Sequence, residues 1–304
     1  MKHLLPLLLV ALFAVSCQHK DGAPDHRKRI QAVYSESAVS YDDVPFYNID
    51  RHKVQEWKWD GNELYRIDYC EDVTTYSENI FYDRRHRISR TTVPAYGLRS
   101  EFAYKGRKLD TIYVYQNDQL SYLLLFTHAD RHITSITQHF FATPSEKALA
   151  HNPLHIINEQ LFDQTPRSKG TSDVVYSLEW NNDNVKSIKT TIDGESTLMR
   201  FTYDDKRNPL HDLFLLYELQ DDEPGTASLQ DGQANLLMLS ENNILTLTRA
   251  FNNDPNYQFN YSYTYNDKYP ETRTVRYQFT RMNNESFQDQ TVSVVEKRYY
   301  EYLD

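Results

Sequence analysis

The sequence predicts an all-β protein. The expected architecture is a long antiparallel β-meander of about seven hairpin repeats, curled into a half-barrel or barrel-like sheet, with one short helical insert. Three observations predict it. The 304 residues hold 24 Tyr and 14 Phe but only 8 Gly. Aromatic and β-branched residues favour pleated, half-buried surfaces. With so few glycines the turns fall to Asn and Asp, which tolerate left-handed backbone. Segments such as Thr111-Ile112-Tyr113-Val114-Tyr115 alternate at period two, the pattern of a strand with two different faces. Finally, an aromatic residue followed by a polar turn and an apolar residue recurs along the chain at a near-constant step.

The elements follow in chain order. Residues 1–16 read as a signal peptide: Lys2 and His3 precede an apolar run from Leu4 to Val15, and Ser16 is a small residue before Cys17. The run is too short to span a bilayer. Residues 17–45 are polar without a sustained period and read as a tether. The basic run DHRKRI at 25–30 lies within it, as a solvated segment or a contact to phosphate head groups. Residues 46–304 read as a single repeat-built β domain.

The repeats begin with WDGNEL at Trp59, YDRRHRI at Tyr82, YKGRKL at Tyr104 and FTHADRHI at Phe126, in steps of 22 or 23 residues. They resume with WNNDNVKSI at Trp180 and YDDKRNPL at Tyr203, again 23 apart, then YNDKYPET at Tyr265. LSENNIL at 239–245 is a degraded copy. A period near 22 that holds two strands is one hairpin per unit. Tyr then supplies cross-strand packing and Asp bonds the turn it opens. Asp60, Asp83, Asp204 and Asp205 are therefore read as turn formers. Two inserts interrupt the series. Residues 141–172 contain SEKALAHNPLHIINEQLF, a short helical segment that Pro153 divides. Residues 220–235 are acidic and turn-rich, an exposed loop. YLLLF at 122–126 and LFLLYEL at 213–219 are apolar on both faces, so these strands are expected to be central or covered on both sides.

Two resemblances arise from these residues. Ala14-Val15-Ser16-Cys17 resembles the lipobox of bacterial lipoproteins, which implies that Cys17 is acylated and becomes the N-terminus of an anchored chain. Several acyl chains on one residue make a stable anchor. The repeat resembles the YD repeat of bacterial Rhs-type shell proteins. Tyr82, Asp83, Arg87 and Ile88 match that unit, with His86 where glycine stands. The combination of degenerate YD-like units, lipobox and polar leader is similar to lipoproteins of Bacteroidetes that carry a domain of unknown function. That likeness implies an all-β envelope protein of the outer membrane, facing the periplasm or exposed at the cell surface.

Charge and motifs narrow the function. Asp and Glu total 43 against 33 Lys and Arg, a net charge of −10, so nucleic acid and anionic lipid head groups are poor partners for the body of the protein. With Cys17 acylated, Cys70 has no intramolecular partner and reads as a buried strand residue. There is no GxxxxGK[ST], GxSxG, HExxH or CxxC, so the chain is read as a non-enzyme without cofactor. His128 and His132 flank what reads as a hairpin turn, and His151 and His155 have helical spacing that Pro153 interrupts. Neither they nor His139 have an evident Cys partner or a supporting hydrogen-bond partner, so no metal site is expected. The remaining functional lead is aromatic. In 259–265 and 275–279, Tyr261, Tyr263, Tyr265 and Tyr277 share one face, while Asn260, Ser262 and Thr264 share the other. The tyrosine face is either the sheet core or a platform on which sugar rings stack. The expected function is a non-catalytic binding module for glycan or peptide. The competing readings are a structural component of the envelope with a protein partner and, third, a hydrolase.

Overall fold

The computed structural model describes residues 28–70, 75–141, 173–192, 194–211, 213, 239–251, 254–282 and 289–303. It contains sixteen strands: β1 (Ile30–Tyr41), β2 (Val44–Asp60), β3 (Glu63–Cys70), β4 (Thr75–Tyr82), β5 (Ile88–Val93), β6 (Leu98–Lys105), β7 (Lys108–Gln116) and β8 (Gln119–Ala129), then β9 (His132–Phe140), β10 (Val174–Asn181), β11 (Asn184–Ile192), β12 (Glu195–Arg207), β13 (Asn242–Phe251), β14 (Asp254–Asn266), β15 (Tyr269–Met282) and β16 (Asp289–Tyr302). Each strand pairs antiparallel with its successor, and β16 pairs with β1 to close the barrel.

Closure decides between the half-barrel and barrel expectations, and it corrects two others. The units number eight, not about seven, and the eighth is split between the chain ends: β16 supplies its first strand and β1 its second. Leu303 N donates to Arg29 O at 2.8 Å where a turn would otherwise join them. The second correction concerns the tether. Residues 30–45 were read as part of it, but β1 is a wall strand. The local pattern conceals this, because IQAVYSESAVSY mixes Ser35 and Ser37 into the inward row and its partner β16 lies at the far end of the chain. The signal peptide, Cys17, the helical reading of 142–172 and the loop at 220–235 lie outside the described residues.

Turn chemistry follows the composition. Positive φ angles occur at Asp42, Asp43, Asn117, Asp118, Asp130, Asn182 and Asp267, and at His86, the position where the YD unit has glycine. His86 holds φ 60° there, and its ring nitrogen bonds Glu63 across to the neighbouring turn at 2.6 Å.

The inward rows build the core. Tyr69, Tyr122, Tyr176, Phe259, Leu64, Ile112 and Leu124 are fully buried. A round sixteen-strand barrel encloses water; here the interior is filled by side chains in two apolar clusters. The outward rows are polar, as with exposed Gln258, Asn260, Ser262 and Thr264 on β14 and Lys186, Lys189, Arg200 and Thr202 on β11 and β12. The exposed large apolar side chains of the outward rows, Tyr65, Phe81, Leu125 and Leu245, stand on four different strands, β3, β4, β8 and β13. β8 is central in the sheet, between β7 and β9, and Leu125 on its outer face is 44% exposed among the described residues. Cys70 is a free thiol and only half-buried, since it ends its strand; burial still pushes its pKa up.

The repeat has a specific physical basis. At one end of the barrel, each hairpin bonds back to its predecessor through a side chain. Trp59 Nε1 donates to Ile30 O at 2.7 Å, Tyr82 Oη to Leu64 O at 3.0 Å and Tyr104 Oη to Ile88 O at 2.8 Å. Trp180 Nε1 donates to Ile133 O at 2.6 Å and Tyr203 Oη to Val185 O at 2.7 Å. Tyr263 Oη donates to Ile244 O at 2.9 Å and Tyr302 Oη to Pro270 O at 2.7 Å. In the unit headed by Phe126, which has no donor, His128 Nε2 takes the place and bonds Leu109 O at 2.6 Å. The eight links close a ring. In four links the acceptor, Leu64, Ile88, Leu109 or Ile133, is the apolar residue that ends the sequence motif, so there the aromatic residue, the turn and the apolar residue form one device. In six of the hairpins the register shifts at the donor itself. Such a bulge re-aims the side chain toward the neighbouring hairpin. In the last internal repeat the donor is Tyr263, two residues before the Tyr265 that heads the sequence motif.

The turn aspartates act beside the clamps. Asp83 Oδ1 accepts from Arg85 N at 2.8 Å and Arg87 N at 3.1 Å, and Oδ2 pairs with the Arg87 guanidinium at 2.6 Å. The Arg87 side-chain bonds hold the Asp83 carboxyl down at about 2. Asp204 bonds Lys206 N at 2.9 Å and Asn243 N at 3.1 Å.

Candidate functional site

The residues singled out in the sequence face inward. Tyr261 and Tyr277 are buried in the barrel interior, and Phe259 packs on Tyr277 with ring centroids 5.0 Å apart. Tyr263 and Tyr265 are half-buried. Tyr263 is a clamp, and Tyr265 Oη bonds the Asp204 carboxylate. The four rings thus form no open platform; Tyr261 and Tyr277 fill the core, and the Tyr263 and Tyr265 hydroxyls find protein partners near the rim. Below them lies a buried charge cluster. Arg298 Nε donates to Glu296 Oε1 at 2.6 Å, and Arg273 lies 3.8 Å from the same oxygen.

The concavity is on the other face of the same strands. A groove of about 560 Å³ runs over the outside of β14, β15, β16, β1 and β2. Its floor is a ladder of hydroxyls produced by register: Ser262 pairs with Thr274 and Thr264 with Thr272. Thr264 and Thr272 hydroxyls bond each other at 2.8 Å, and Arg276 reaches Ser262 Oγ at 3.4 Å. Lys297 and Glu36, 3.9 Å apart, continue the ladder onto β16 and β1, and Asp50 on β2 borders the far side. Of the four tyrosines only Tyr263 borders this groove.

Beside the ladder, Thr272 pairs with Tyr299 and Tyr299 with Tyr34. The Arg51 guanidinium lies over both rings, 4.6 Å from Tyr34 and 4.2 Å from Tyr299, and Lys297 lies 4.5 Å from the Tyr299 ring. Tyr34 Oη donates to Glu301 at 3.2 Å and Arg51 lies 3.7 Å from that carboxylate. Cation–π contacts of this kind hold two flat rings in fixed orientation at the surface. Chemically, the groove offers donors and acceptors of both charge signs at close spacing. That set suits a ligand rich in hydroxyl groups. The sequence did show its signal: Asn260, Ser262 and Thr264 alternate with the tyrosines. Tyr34, Arg51 and Tyr299 carried no signal, since three distant segments contribute them.

The histidines take other roles. His132 stacks on Trp180 with centroids 4.5 Å apart, and His139 bonds Asp173. Among the described residues no group of three His, Cys, Asp or Glu side chains is placed to hold a metal ion.

No family model matches this chain, and no curated protein matches it. Solved structures with a similar backbone course include two porin-like proteins. One is a porin-like protein from Bacteroides uniformis, with 11% identity and a TM-score of 0.48 over 90% of this chain and 96% of that one. The other is a porin-like protein from Bacteroides vulgatus, with 10% identity and a TM-score of 0.29 over 91% of this chain and 99% of that one.

Proposed function

We propose that this chain is a non-catalytic binding module, held at the outer membrane by lipid on Cys17, that takes a glycan in the groove on the outer face of β14, β15, β16, β1 and β2. The groove carries the proposal. Its hydroxyl ladder and mixed charges match the alternating donors and acceptors of a sugar. Peptide capture by strand addition needs a free sheet edge, and a closed barrel has none among the described strands. The test is a glycan array probed with the processed chain. Arg276→Ala is expected to weaken retention about tenfold, the scale of one hydrogen bond from a charged group, at unchanged melting temperature. Retention by the variant equal to the parent chain, or no glycan retained at all, overturns the groove assignment.

The anchor is tested separately. Cys17→Ser is expected to release the protein from the membrane fraction or leave it unprocessed. Unchanged fractionation and an unchanged mature N-terminal mass would refute acylation.

A second reading, a structural component of the envelope with a protein partner, is favoured by one feature. The β1–β2 tip exposes Val44 and Phe46, with Tyr41 4.6 Å from the Phe46 ring. Cross-linking at Phe46 to one envelope protein, with no glycan retained, would support it.

A further inference from the structure

We propose that the clamped end of the barrel docks against an anionic membrane surface through a basic arc formed by the β4–β5 and β6–β7 turns and the start of β1. The β4–β5 turn exposes Arg84, Arg85 and His86, and the β6–β7 turn exposes Lys105, Arg107 and Lys108. The two turns are joined by Arg87, whose NH1 donates to Gly106 O at 2.7 Å. On the other side, Arg29 bonds Gly61 O in the β2–β3 turn, and Lys28 lies 5.6 Å from the Tyr302 ring. Of the acids in these turns, Asp83 pairs with Arg87 and Glu63 with His86, and Asp60 beside Gly61 is exposed and offsets one cation of the arc. A chain of net charge −10 thus gathers cations in one sector of this end, while the turns across the barrel carry Asp130, Asp183, Asp204, Asp205 and Asp267. The charge balance of the whole argued against anionic partners, but the fold segregates the charges, and attraction to a charged surface acts within about a Debye length of it.

Chain continuity selects a membrane over other polyanions. β1 starts at this same end, and Cys17 lies eleven residues before Lys28. Fully extended, that segment spans on the order of 35–40 Å. A lipid on Cys17 would therefore keep the arc next to the headgroups. The inference rests on the proposed anchor for its geometry, but its test does not.

The chain from residue 17 onward, with Cys17→Ser, retains every strand and carries no lipid. It is sedimented with vesicles of phosphatidylcholine alone and with vesicles containing about a third phosphatidylglycerol. Binding is expected to the anionic vesicles only, and to fall with added salt. The Arg84→Glu/Arg85→Glu/Lys108→Glu variant is expected to bind at least about a hundredfold more weakly, since each basic residue near the surface contributes about fivefold. Lys189→Glu/Arg200→Glu, on the outer wall, is expected to bind like the parent chain. Equal binding to neutral vesicles, no binding to anionic ones, parent-like binding by the triple variant at an unchanged melting temperature, or stronger competition by a soluble polyanion than by anionic vesicles each overturns the proposal. Any of these leaves the acylation of Cys17 untouched.

Discussion

Glu78→Gln is expected to stabilise the barrel by about 3 kcal/mol at pH 8 and by little at pH 4. Glu78 is fully buried among inward residues of β4, where Tyr69 Oη donates to one carboxylate oxygen at 3.1 Å and the other oxygen has no hydrogen-bond partner. Burial pushes its pKa up from 4.5 to about 7, against the pull of the Tyr69 hydroxyl. Below pH 4.5 the group is protonated whether the chain is folded or not, so it costs nothing. Between 4.5 and 7 the unfolded chain releases the proton and the folded chain keeps it, so stability falls as pH rises. Above 7 the full penalty is present. Gln has the shape of the neutral acid and cannot ionise, so the variant should lose that pH dependence. Denaturant unfolding of both proteins at pH 4, 6 and 8 is the measurement. A constant difference across the three would show that Glu78 does not titrate in this range. Thr91 and Ser100, buried on β5 and β6, also have hydroxyls without partners, so this sector of the core carries stability that substitution can recover.

The second large effect concerns the clamps. Tyr82→Ala is expected to destabilise the barrel by about 3 kcal/mol, as large-to-small aromatic changes do. Tyr82→Phe is expected to cost about 1 kcal/mol, through the lost bond to the Leu64 carbonyl alone. The difference separates packing from hydrogen bonding. Asp83→Ala should lower the melting temperature less than Tyr82→Ala, because the carboxylate is exposed and ties only its own turn. Its contribution is present above the ordinary carboxylate pKa and is lost as pH falls toward about 2, where Asp83 protonates in the fold. An Asp83 variant less stable than Tyr82→Ala would invert the assignment. So would a Tyr82→Phe variant as damaged as the alanine. The chain contains its own comparison at Phe126, where the ring remains and His128 supplies the bond.

Much of the architecture is legible because it is local. Period-two alternation and the composition point to strands. The near-constant step of aromatic, turn and apolar residue marks a hairpin per unit. The scarcity of glycine places Asp and Asn in the left-handed turn positions. These features depend on a few adjacent residues, and backbone sterics and turn chemistry act at that range. The reason for the repeat is not local. Each clamp joins residues roughly 16 to 47 positions apart, between neighbouring hairpins, so its donor is visible in sequence but its acceptor becomes so only when the hairpins stand side by side.

The tertiary structure alone decided three things. Closure of β16 on β1 spans almost the whole chain, and it turned residues 30–45 from a tether into a wall. It also decided which face of the tyrosine strands is inside. Alternation states that two faces differ, but only the neighbours across the barrel make the ring face the core and leave the hydroxyl face to form the groove. Last, it decided where the charges go. The sequence reports their sum; the turns that carry Arg84, Arg85, Lys105, Arg107 and Lys108 become one arc because two consecutive hairpins end on the same side. Strand identity is set by contacts within a few residues, whereas sidedness, closure and charge segregation are set by contacts between segments that the linear order keeps apart.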